Sequence, residues 1–354
     1  MKKIYTFSAL LYVSMLLAQA GAPAVYYNGF NWTQTGTALK SALATKITTT
    51  HTNQLSYSQI WNALEITDKD PANAANVLLI YGYGTSYSRD KDLQCGGGNC
   101  NGTWNREHTY AQSIGTPNIG TSGPGADAHH LRACDYGLNE DRASEKYADG
   151  TGNAHDVTSS TWYPGDEWKG DIARMMMYMY LRYGDQCLPK NVGIGTTLAT
   201  DSNMIDLFLQ WNVEDPVSTF EDNRNTYLGN ANNTYGQGNR NPFIDNPYLA
   251  TVIWGGTAAE NRWPNVAFLS VGDFNMLSNV AVYPNPANDH KINIQTEVIL
   301  DEINLVNVNG QLVQQIKKPV LQNNTYTMEN LPNGFYFLKM TSGNQSTVKK
   351  IIVN

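Results

Sequence analysis

The sequence predicts an α+β protein in which a larger, mainly helical domain is followed by a small all-β sandwich. Residues 171–183 contain no Gly or Pro and are apolar on most sides, which favours a buried helix. After residue 280, short alternating strands are separated by turn sequences such as Asn285-Pro286 and Asn309-Gly310, a pattern typical of an antiparallel sandwich. Because the composition changes near Trp263, we expect two separate domains.

The larger domain is predicted to combine short helices with a buried strand. Apolar spacing predicts helices over residues 39–47, 57–64 and 204–211. The compact apolar run of residues 77–83 predicts a buried strand. The Gly-, Asn- and Cys-rich residues 95–102 predict a loop. In the smaller domain the predicted strands cover residues 280–283, 292–294, 303–306, 335–338 and 348–353.

The N-terminus is typical of an export signal. Lys2 and Lys3 precede an apolar stretch over residues 4–17, and Ala18-Gln19-Ala20 fits a cleavage site. We predict a signal peptide over residues 1–20, a catalytic domain over 21–262, a linker over 263–279 and the sandwich over 280–354. No later stretch is long and apolar enough to span a membrane, so we expect an exported protein without membrane insertion. We also expect a monomer.

The chain of 354 residues has a net charge of −7, which does not suggest a protein that coats nucleic acid through bulk charge. This charge does not exclude an enzyme that binds a few phosphates locally.

The four cysteines, an even number in an exported chain, favour disulfides. Four cysteines allow three pairings, and the sequence alone does not choose among them. If Cys95 and Cys100 close a local loop, Cys134 and Cys187 would be the long-range pair. The competing interpretation, a zinc site, lacks any matching spacing.

Three short segments carry most of the reactive side chains. They are residues 104–113, which contain Arg106-Glu107-His108, residues 127–132, and residues 139–142. Phosphodiester hydrolysis needs a base that is neutral near pH 7, and an imidazole suits this role. It also needs a cation at the phosphate, and a carboxylate with an amide oxygen can hold a hard divalent ion. An Arg can donate two hydrogen bonds to phosphate oxygens at once.

The spacing of these residues predicts a local geometry. Neighbouring side chains on a strand point to opposite faces, so Glu107 and His108 can share a site only at an irregular or twisted strand end or at the strand edge. Asn139 and Arg142 share a face if they lie on a helix. A hairpin followed by a helix could therefore gather all four around one point, which is the ββα-metal arrangement.

Residues 25–254 resemble the endonuclease I family of secreted nucleases, which use a ββα-metal (His-Me finger) site. Six segments carry the resemblance in order: NREH (105–108), DAHHLR (127–132), NEDR (139–142), KGDIAR (169–174), DPV (215–217) and QGNRNPFID (237–245). The resemblance implies that His108 is the general base, that Glu107 and Asn139 hold the metal, and that Arg142 faces the phosphate. It further implies Mg²⁺, for which Ca²⁺ or Mn²⁺ could substitute, DNA or RNA as substrate, and products with a 5′-phosphate.

Further candidates for substrate binding lie in the same segments: Arg106, His129, His130, Arg132, Arg174 and Arg240. Each has a structural alternative. The histidines could orient the hairpin, and Arg174 and Arg240 could instead pair with Asp171 and Asp245.

Residues 280–354 resemble the sorting domain of the type IX secretion system of Bacteroidetes. The carrying segments are VYPNPAN (282–288) and the ending that begins at NGFYFLK (333–339). This resemblance implies interaction with that secretion machinery, export across both membranes to the medium or the cell surface, and subsequent removal of the domain.

Two competing functions remain: a catalytically inactive exported binding or adhesion protein, and a zinc hydrolase, although no HExxH motif is present.

Overall fold

The computed structural model describes residues 23, 25–266, 268, 280–296, 298–342 and 345–354. They form two compact units, one ending at residue 268 and the other beginning at residue 280. The predicted signal peptide lies outside the described residues, and so does most of the predicted linker. Trp263, at the start of that linker, is buried against the rings of Tyr27 and Trp32, with centroid distances of 5.5 and 5.0 Å.

The first unit mixes helices with small sheets. Its helices are α1 (Gly36–Thr50), α2 (Tyr57–Thr67), α3 (Tyr136–Arg142), α4 (Lys169–Tyr183), α5 (Pro189–Val192), α6 (Asp206–Glu214), α7 (Thr219–Leu228), α8 (Pro242–Asp245) and α9 (Tyr248–Trp254). Its strands are β1 (Asn76–Leu78), β2 (Ser88–Asp90), β3 (Trp104–His108), β4 (Leu131–Asp135), β5 (Lys146–Tyr147), β6 (His155–Thr158), β7 (Thr161–Tyr163), β8 (Thr197–Leu198) and β9 (Asp201–Ile205). The mixed content agrees with the predicted α+β class, whereas a predominance of helices is not confirmed.

Two predicted elements differ from those observed. The strand predicted over residues 77–83 ends at Leu78, because the chain turns from Leu79 to Gly82, whose amide donates to the Leu79 oxygen at 2.9 Å. A Cβ at that position would lie 2.6 Å from the carbonyl oxygens of Leu79 and Ser86, so only glycine fits the turn. The helix predicted from residue 204 begins at Asp206, because the preceding residues form β9 and pair with β8.

The fold places β3, β4 and α3 together. β3 and β4 pair antiparallel, with Glu107 opposite Arg132 and His108 opposite Leu131. α3 follows β4 without a linking residue, and the Asp135 carboxylate caps it by accepting from the amides of Gly137 and Leu138 at 2.8 and 3.3 Å. One buried core cluster packs around this pair, and its members include Trp104 from β3 and Leu131 and Ala133 from β4.

One disulfide forms among the described cysteines. Cys95 and Cys100 are bonded, with their Cα atoms 5.1 Å apart, immediately before β3. The predicted pairing of Cys134 with Cys187 is wrong, because both are buried free thiols. They belong to different surroundings: Cys134 lies on β4 with its thiol 3.5 Å from the Ile80 carbonyl oxygen, whereas Cys187 ends a short turn after α4.

The second unit is a sandwich of two antiparallel sheets. One contains β10 (Ala281–Tyr283), β11 (Ile292–Gln295) and β14 (Thr325–Met328), in that order. The other has the order β13 (Leu312–Lys317), β12 (Glu302–Asn307), β15 (Gly334–Ser342), β16 (Gln345–Val353). Alternate residues of both sheets, such as Ile294 and Leu305, are buried in one apolar core. This is the predicted β-sandwich. Within the described residues, no helix has the length and apolar character needed to cross a bilayer.

Candidate active site

A polar pocket of about 250 Å³ opens where β3 ends and α3 passes. Its lining residues are Arg106, Glu107, His108, Ala111, Gln112, Ser113, Asn118, Asn139, Ala143 and Ser144. Four of the sequence candidates therefore meet in one place. Glu107 and His108 can both reach the pocket because His108 is the last residue of β3, where strand alternation stops.

Glu107 is buried, with 3% of its surface exposed, and neighbouring side chains donate hydrogen bonds to one of its two oxygens. Its Oε1 accepts hydrogen bonds from the Tyr81 hydroxyl and from Arg142 Nη1, both at 3.0 Å. No side chain among the described residues donates to Oε2, and the His108 backbone amide also donates to the carboxylate. Burial raises the pKa of Glu107, and the nearby Arg142 and Tyr81 oppose that shift. Glu107 thus lines the pocket with one oxygen, Oε2, to which no described side chain donates.

Asn139 supplies a second oxygen from α3. Its Nδ2 donates to Asn105 Oδ1 at 2.7 Å, which fixes the orientation of the amide. The Oδ1 of Asn139 is therefore left without a hydrogen bond to the described residues and belongs to the same pocket lining as Glu107. A carboxylate oxygen and an amide oxygen are the ligand types that hard divalent cations prefer, and Mg²⁺ commonly keeps several waters beside one or two such ligands.

His108 is oriented by a backbone carbonyl. Its Nε2 lies 2.9 Å from the oxygen of Gly125 and, because a carbonyl only accepts, Nε2 carries the proton. Nδ1 is then a free lone pair; it has no hydrogen bond to the described residues and is not sealed from the pocket. Burial, reinforced by His130, lowers the pKa of His108 to about 3, so the ring is neutral near pH 7.

The carbonyl that orients His108 sits on a tight turn. A Cβ on Gly125 would lie 1.8 Å from the Gly120 oxygen, so the close approach of these two segments requires glycine. His130 Nε2 contacts the Pro124 oxygen at 2.7 Å and holds the same turn. On its other side, the His108 ring stacks on Tyr57 with a centroid distance of 5.3 Å. These contacts leave the imidazole little freedom to rotate.

Two arginines lie beside Glu107 in different surroundings. Arg142 is fully buried, does not line the pocket, and donates to Glu107 and to the carbonyl oxygens of His108 and Thr109, all at 3.0 Å. Arg106 lines the pocket, stacks on the Tyr57 ring at 3.5 Å and makes no ion pair among the described residues. Its Nη1 donates to the Tyr57 carbonyl oxygen. Arg106 is therefore the cation that faces the pocket.

The remaining candidates are not brought to the pocket. His129 is buried, and its Nε2 lies 2.9 Å from the Asn239 carbonyl oxygen. Arg132 bridges Asp68 and Asp171 at 3.0 Å to each. Arg174 pairs with Glu221 at 2.6 Å, and Arg240 pairs with Asp245 at 2.6 Å. Each of these arginines uses its charge in an ion pair inside the protein.

The sequence did not point to Tyr81 and Tyr147. Both are buried, and their hydroxyls lie 2.6 Å apart. Tyr81 donates to Glu107, and the Tyr147 hydroxyl lies 2.8 Å from the Thr109 oxygen and can donate its one proton to Tyr81. Tyr81 belongs to an apolar run and carries no charge, so only the contact with Glu107 reveals its place at the site.

The segments that form this pocket all fall within residues 35–248, which match the model of the Endonuclease I family. The chain belongs to that family. An extracellular ribonuclease of Bacillus amyloliquefaciens is 44% identical over 233 residues, which are 62% of this chain and 75% of that protein. An extracellular ribonuclease of Bacillus subtilis (strain 168) is 44% identical over 241 residues, 65% of this chain and 78% of that protein. This endonuclease I family member is accordingly an enzyme of the secreted nuclease class.

Residues 281–354 match a secretion system C-terminal sorting domain, which confirms the second resemblance. The protein is therefore secreted or displayed at the cell surface. Among solved structures, PorZ, a surface component of the type IX secretion system of Porphyromonas gingivalis, matches 24% of this chain and 13% of its own length. That match has 16% identity and a TM-score of 0.20, too low to support any argument.

Proposed function

We propose that this protein is a divalent-metal-dependent endonuclease that hydrolyses phosphodiester bonds by a one-metal mechanism, with His108 as general base. The observation that carries the proposal is that Glu107, His108 and Asn139 line one pocket, where His108 Nδ1 and Asn139 Oδ1 make no hydrogen bond to the described residues and no described side chain donates to Glu107 Oε2. A base and two oxygen ligands at one phosphate are what the reaction requires. The two relatives are named as ribonucleases, which supports RNA as a substrate, and DNA is the alternative.

The donor set fits Mg²⁺ better than zinc. Glu107 and Asn139 offer two oxygens and one negative charge, which leaves room for water and phosphate. Within the part of the chain that the structure describes, no three His, Cys, Asp or Glu side chains are placed to hold a metal together. A zinc site normally has at least three protein ligands with nitrogen or sulfur among them. The order β3, β4, α3, with the ligands on β3 and α3, supports a ββα-metal finger.

The chain's own residues account for the proton transfer. His108 Nδ1 takes a proton from a water, whose oxygen attacks phosphorus as the bond to the 3′ oxygen breaks; that oxygen leaves with a proton from solvent, and the phosphate stays on the 5′ side. When bound, a hard divalent cation supplies positive charge that offsets the charge developing on the phosphate and the leaving oxygen. Arg106 faces the pocket and can donate to a phosphate oxygen. The Gly125 carbonyl keeps the His108 proton on Nε2, so Nδ1 stays available.

Replacement of the base tests this mechanism. We expect His108→Ala to keep its circular dichroism spectrum and to lose at least about 100-fold in kcat on RNA and plasmid DNA, because the base is gone. The matched control is His155→Ala, since His155 is exposed on β6, away from the pocket lining. It should cleave at the wild-type rate. A His108→Ala enzyme that cleaves nearly as fast as wild type would exclude His108 as the base.

Metal removal and product analysis complete the test. EDTA should abolish cleavage and added Mg²⁺ should restore it, and the products should accept ligation through a 5′-phosphate. Retention of nucleic acid or polysaccharide without any turnover would instead support an inactive exported binding protein. Tightly held stoichiometric zinc would support a zinc hydrolase.

A further inference from the structure

Tyr81 has a backbone conformation that tyrosine rarely adopts. Its φ is +65°, in the left-handed region, and its side chain is completely buried. The tight turn at Gly82 follows directly, and the Ile80 amide donates to the Ala133 oxygen at 2.8 Å, which ties the segment to β4. Bulky residues persist at positive φ only where the surrounding structure holds them, and such positions cluster at functional sites.

This conformation directs the Tyr81 hydroxyl to the pocket-lining carboxylate. The hydroxyl lies 3.0 Å from Glu107 Oε1 and 2.6 Å from the Tyr147 hydroxyl, which also lies 2.8 Å from the Thr109 oxygen. Because each hydroxyl has one proton, Tyr81 donates to Glu107 when Tyr147 donates to Tyr81. The Tyr81 ring packs edge-on against Trp162, with a centroid distance of 5.6 Å. The hydroxyl is thus fixed from both sides, by its ring and by Tyr147.

Tyr81 and Arg142 occupy the same oxygen of Glu107. Both donate to Oε1 at 3.0 Å, from different elements. A carboxylate oxygen with two side-chain donors has little capacity left for a cation, whereas no described side chain donates to Oε2. The two donors therefore also determine which oxygen faces the pocket.

We propose that Tyr81 is a positioning residue that confines Glu107 to binding the divalent cation through Oε2 alone. The inference rests on the proposed metal site. Arg142 by itself leaves the carboxylate free to rotate about its last bond, since one donor defines a direction but not a plane. The second donor, from Tyr81, removes that freedom. Donors of this kind beside metal ligands commonly change metal affinity by 10–100-fold when they are removed.

The test is Tyr81→Phe, which keeps the ring and its packing and removes only the hydroxyl. We expect its Mn²⁺ affinity, measured by electron paramagnetic resonance without substrate, to fall about 10-fold. The half-saturating Mg²⁺ concentration for cleavage should rise by a similar factor, while kcat at saturating Mg²⁺ changes less than about 3-fold. The matched control is Tyr180→Phe, because the buried Tyr180 also donates to a carboxylate, that of Asp201, away from the pocket lining. It should bind Mn²⁺ like wild type.

Wild-type Mn²⁺ affinity in Tyr81→Phe, with only a lower melting temperature like that of Tyr180→Phe, would overturn the inference. If Tyr81→Phe does not fold, Tyr147→Phe takes its place; it frees the Tyr81 hydroxyl and should also weaken Mn²⁺ binding, and an unchanged affinity would overturn the inference. Failure of the proposed function has a different signature: Glu107→Gln would bind Mn²⁺ as tightly as wild type. With Glu107→Gln impaired and Tyr81→Phe normal, only the role of Tyr81 would be rejected.

Discussion

Arg106 and Arg142 both lie beside Glu107, yet only Arg106 lines the pocket, whereas Arg142 is bonded inside the protein. Arg142 has three hydrogen bonds within the protein and no exposed surface. Arg106 is half-buried on the Tyr57 ring, keeps its charge unpaired and lines the pocket. A buried cation that is already bonded holds its partner in place, whereas an unpaired cation at a polar pocket can bind an anion. We therefore propose that Arg106 contacts the phosphate; the resemblance implied this role for Arg142, and for both residues it stays a prediction.

Substitution of the two arginines separates these tasks. Arg106→Ala should raise KM for nucleic acid about 10-fold and make binding less sensitive to salt, because one phosphate contact is lost. Arg142→Ala should lower the free energy of unfolding by about 3–5 kcal/mol, because Glu107 would stay buried without its cation. KM at two salt concentrations and urea denaturation measure these effects. An Arg142→Ala protein of wild-type stability with only a raised KM would return the phosphate contact to Arg142.

At the scale of elements, the site depends on where α3 begins. α3 has seven residues, too few to be stable alone, so its start must be fixed by tertiary contacts. Asp135 caps it and is itself held by Arg89, whose Nη2 lies 2.8 Å from Asp135 Oδ2. Arg89 lies on β2, so a second sheet anchors the helix that carries Asn139. The cap therefore connects helix stability to the position of a proposed metal ligand.

Two substitutions at Asp135 test this connection. Asp135→Ala should lower the free energy of unfolding by about 1 kcal/mol and raise the half-saturating Mg²⁺ concentration, because α3 loses its cap. Asp135→Asn keeps the capping oxygen and loses only the ion pair, so both effects should be smaller. Urea titration and Mg²⁺-dependent cleavage measure them. Equal effects of the two substitutions would mean that the ion pair, and not the cap, fixes α3.

At the scale of the first unit, the interior contains ionisable groups that folding keeps neutral. His129 and His130 are buried, and burial lowers the pKa of each from 6.5 to about 4. For His130 the nearby Asp127 opposes this shift, and Arg224 reinforces it. At pH 7.5 the protonation of these histidines does not change the free energy of unfolding, because they are neutral in both the folded and the unfolded chain. Below pH 6.5 the unfolded chain binds protons that the folded chain does not, so stability falls as pH falls towards 4.

The free energy of unfolding should therefore decrease by about 2 kcal/mol for His130 alone between pH 7.5 and pH 5. Urea denaturation at the two pH values measures the decrease. His130→Gln, which no longer titrates there, should show a weaker pH dependence than wild type, and His155→Gln, changed at an exposed position, should follow the wild-type curve. Identical pH dependence in His130→Gln and wild type would show that His130 is not held neutral by the fold.

Local patterns in the sequence were sufficient for several features. Apolar spacing located α1, α2 and α4, and alternation with turn residues located most strands of the C-terminal sandwich. Both patterns depend only on which face of an element is buried, and that is written in neighbouring residues. The short run Arg106-Glu107-His108 and the later Asn139 were likewise predicted from the sequence, and all four residues line the pocket. The roles of these residues in catalysis stay predictions.

Only the tertiary structure decided which buried groups meet. Tyr81 and Glu107 are 26 residues apart, and Arg142 and Glu107 are 35 apart, so no local period connects them. The same holds for Cys134 and Cys187, which are equally plausible partners by count and yet lie unpaired in different parts of the core. A buried charge or thiol is satisfied by whichever partner the packed chain brings within about 3 Å, and that distance is set by the whole fold.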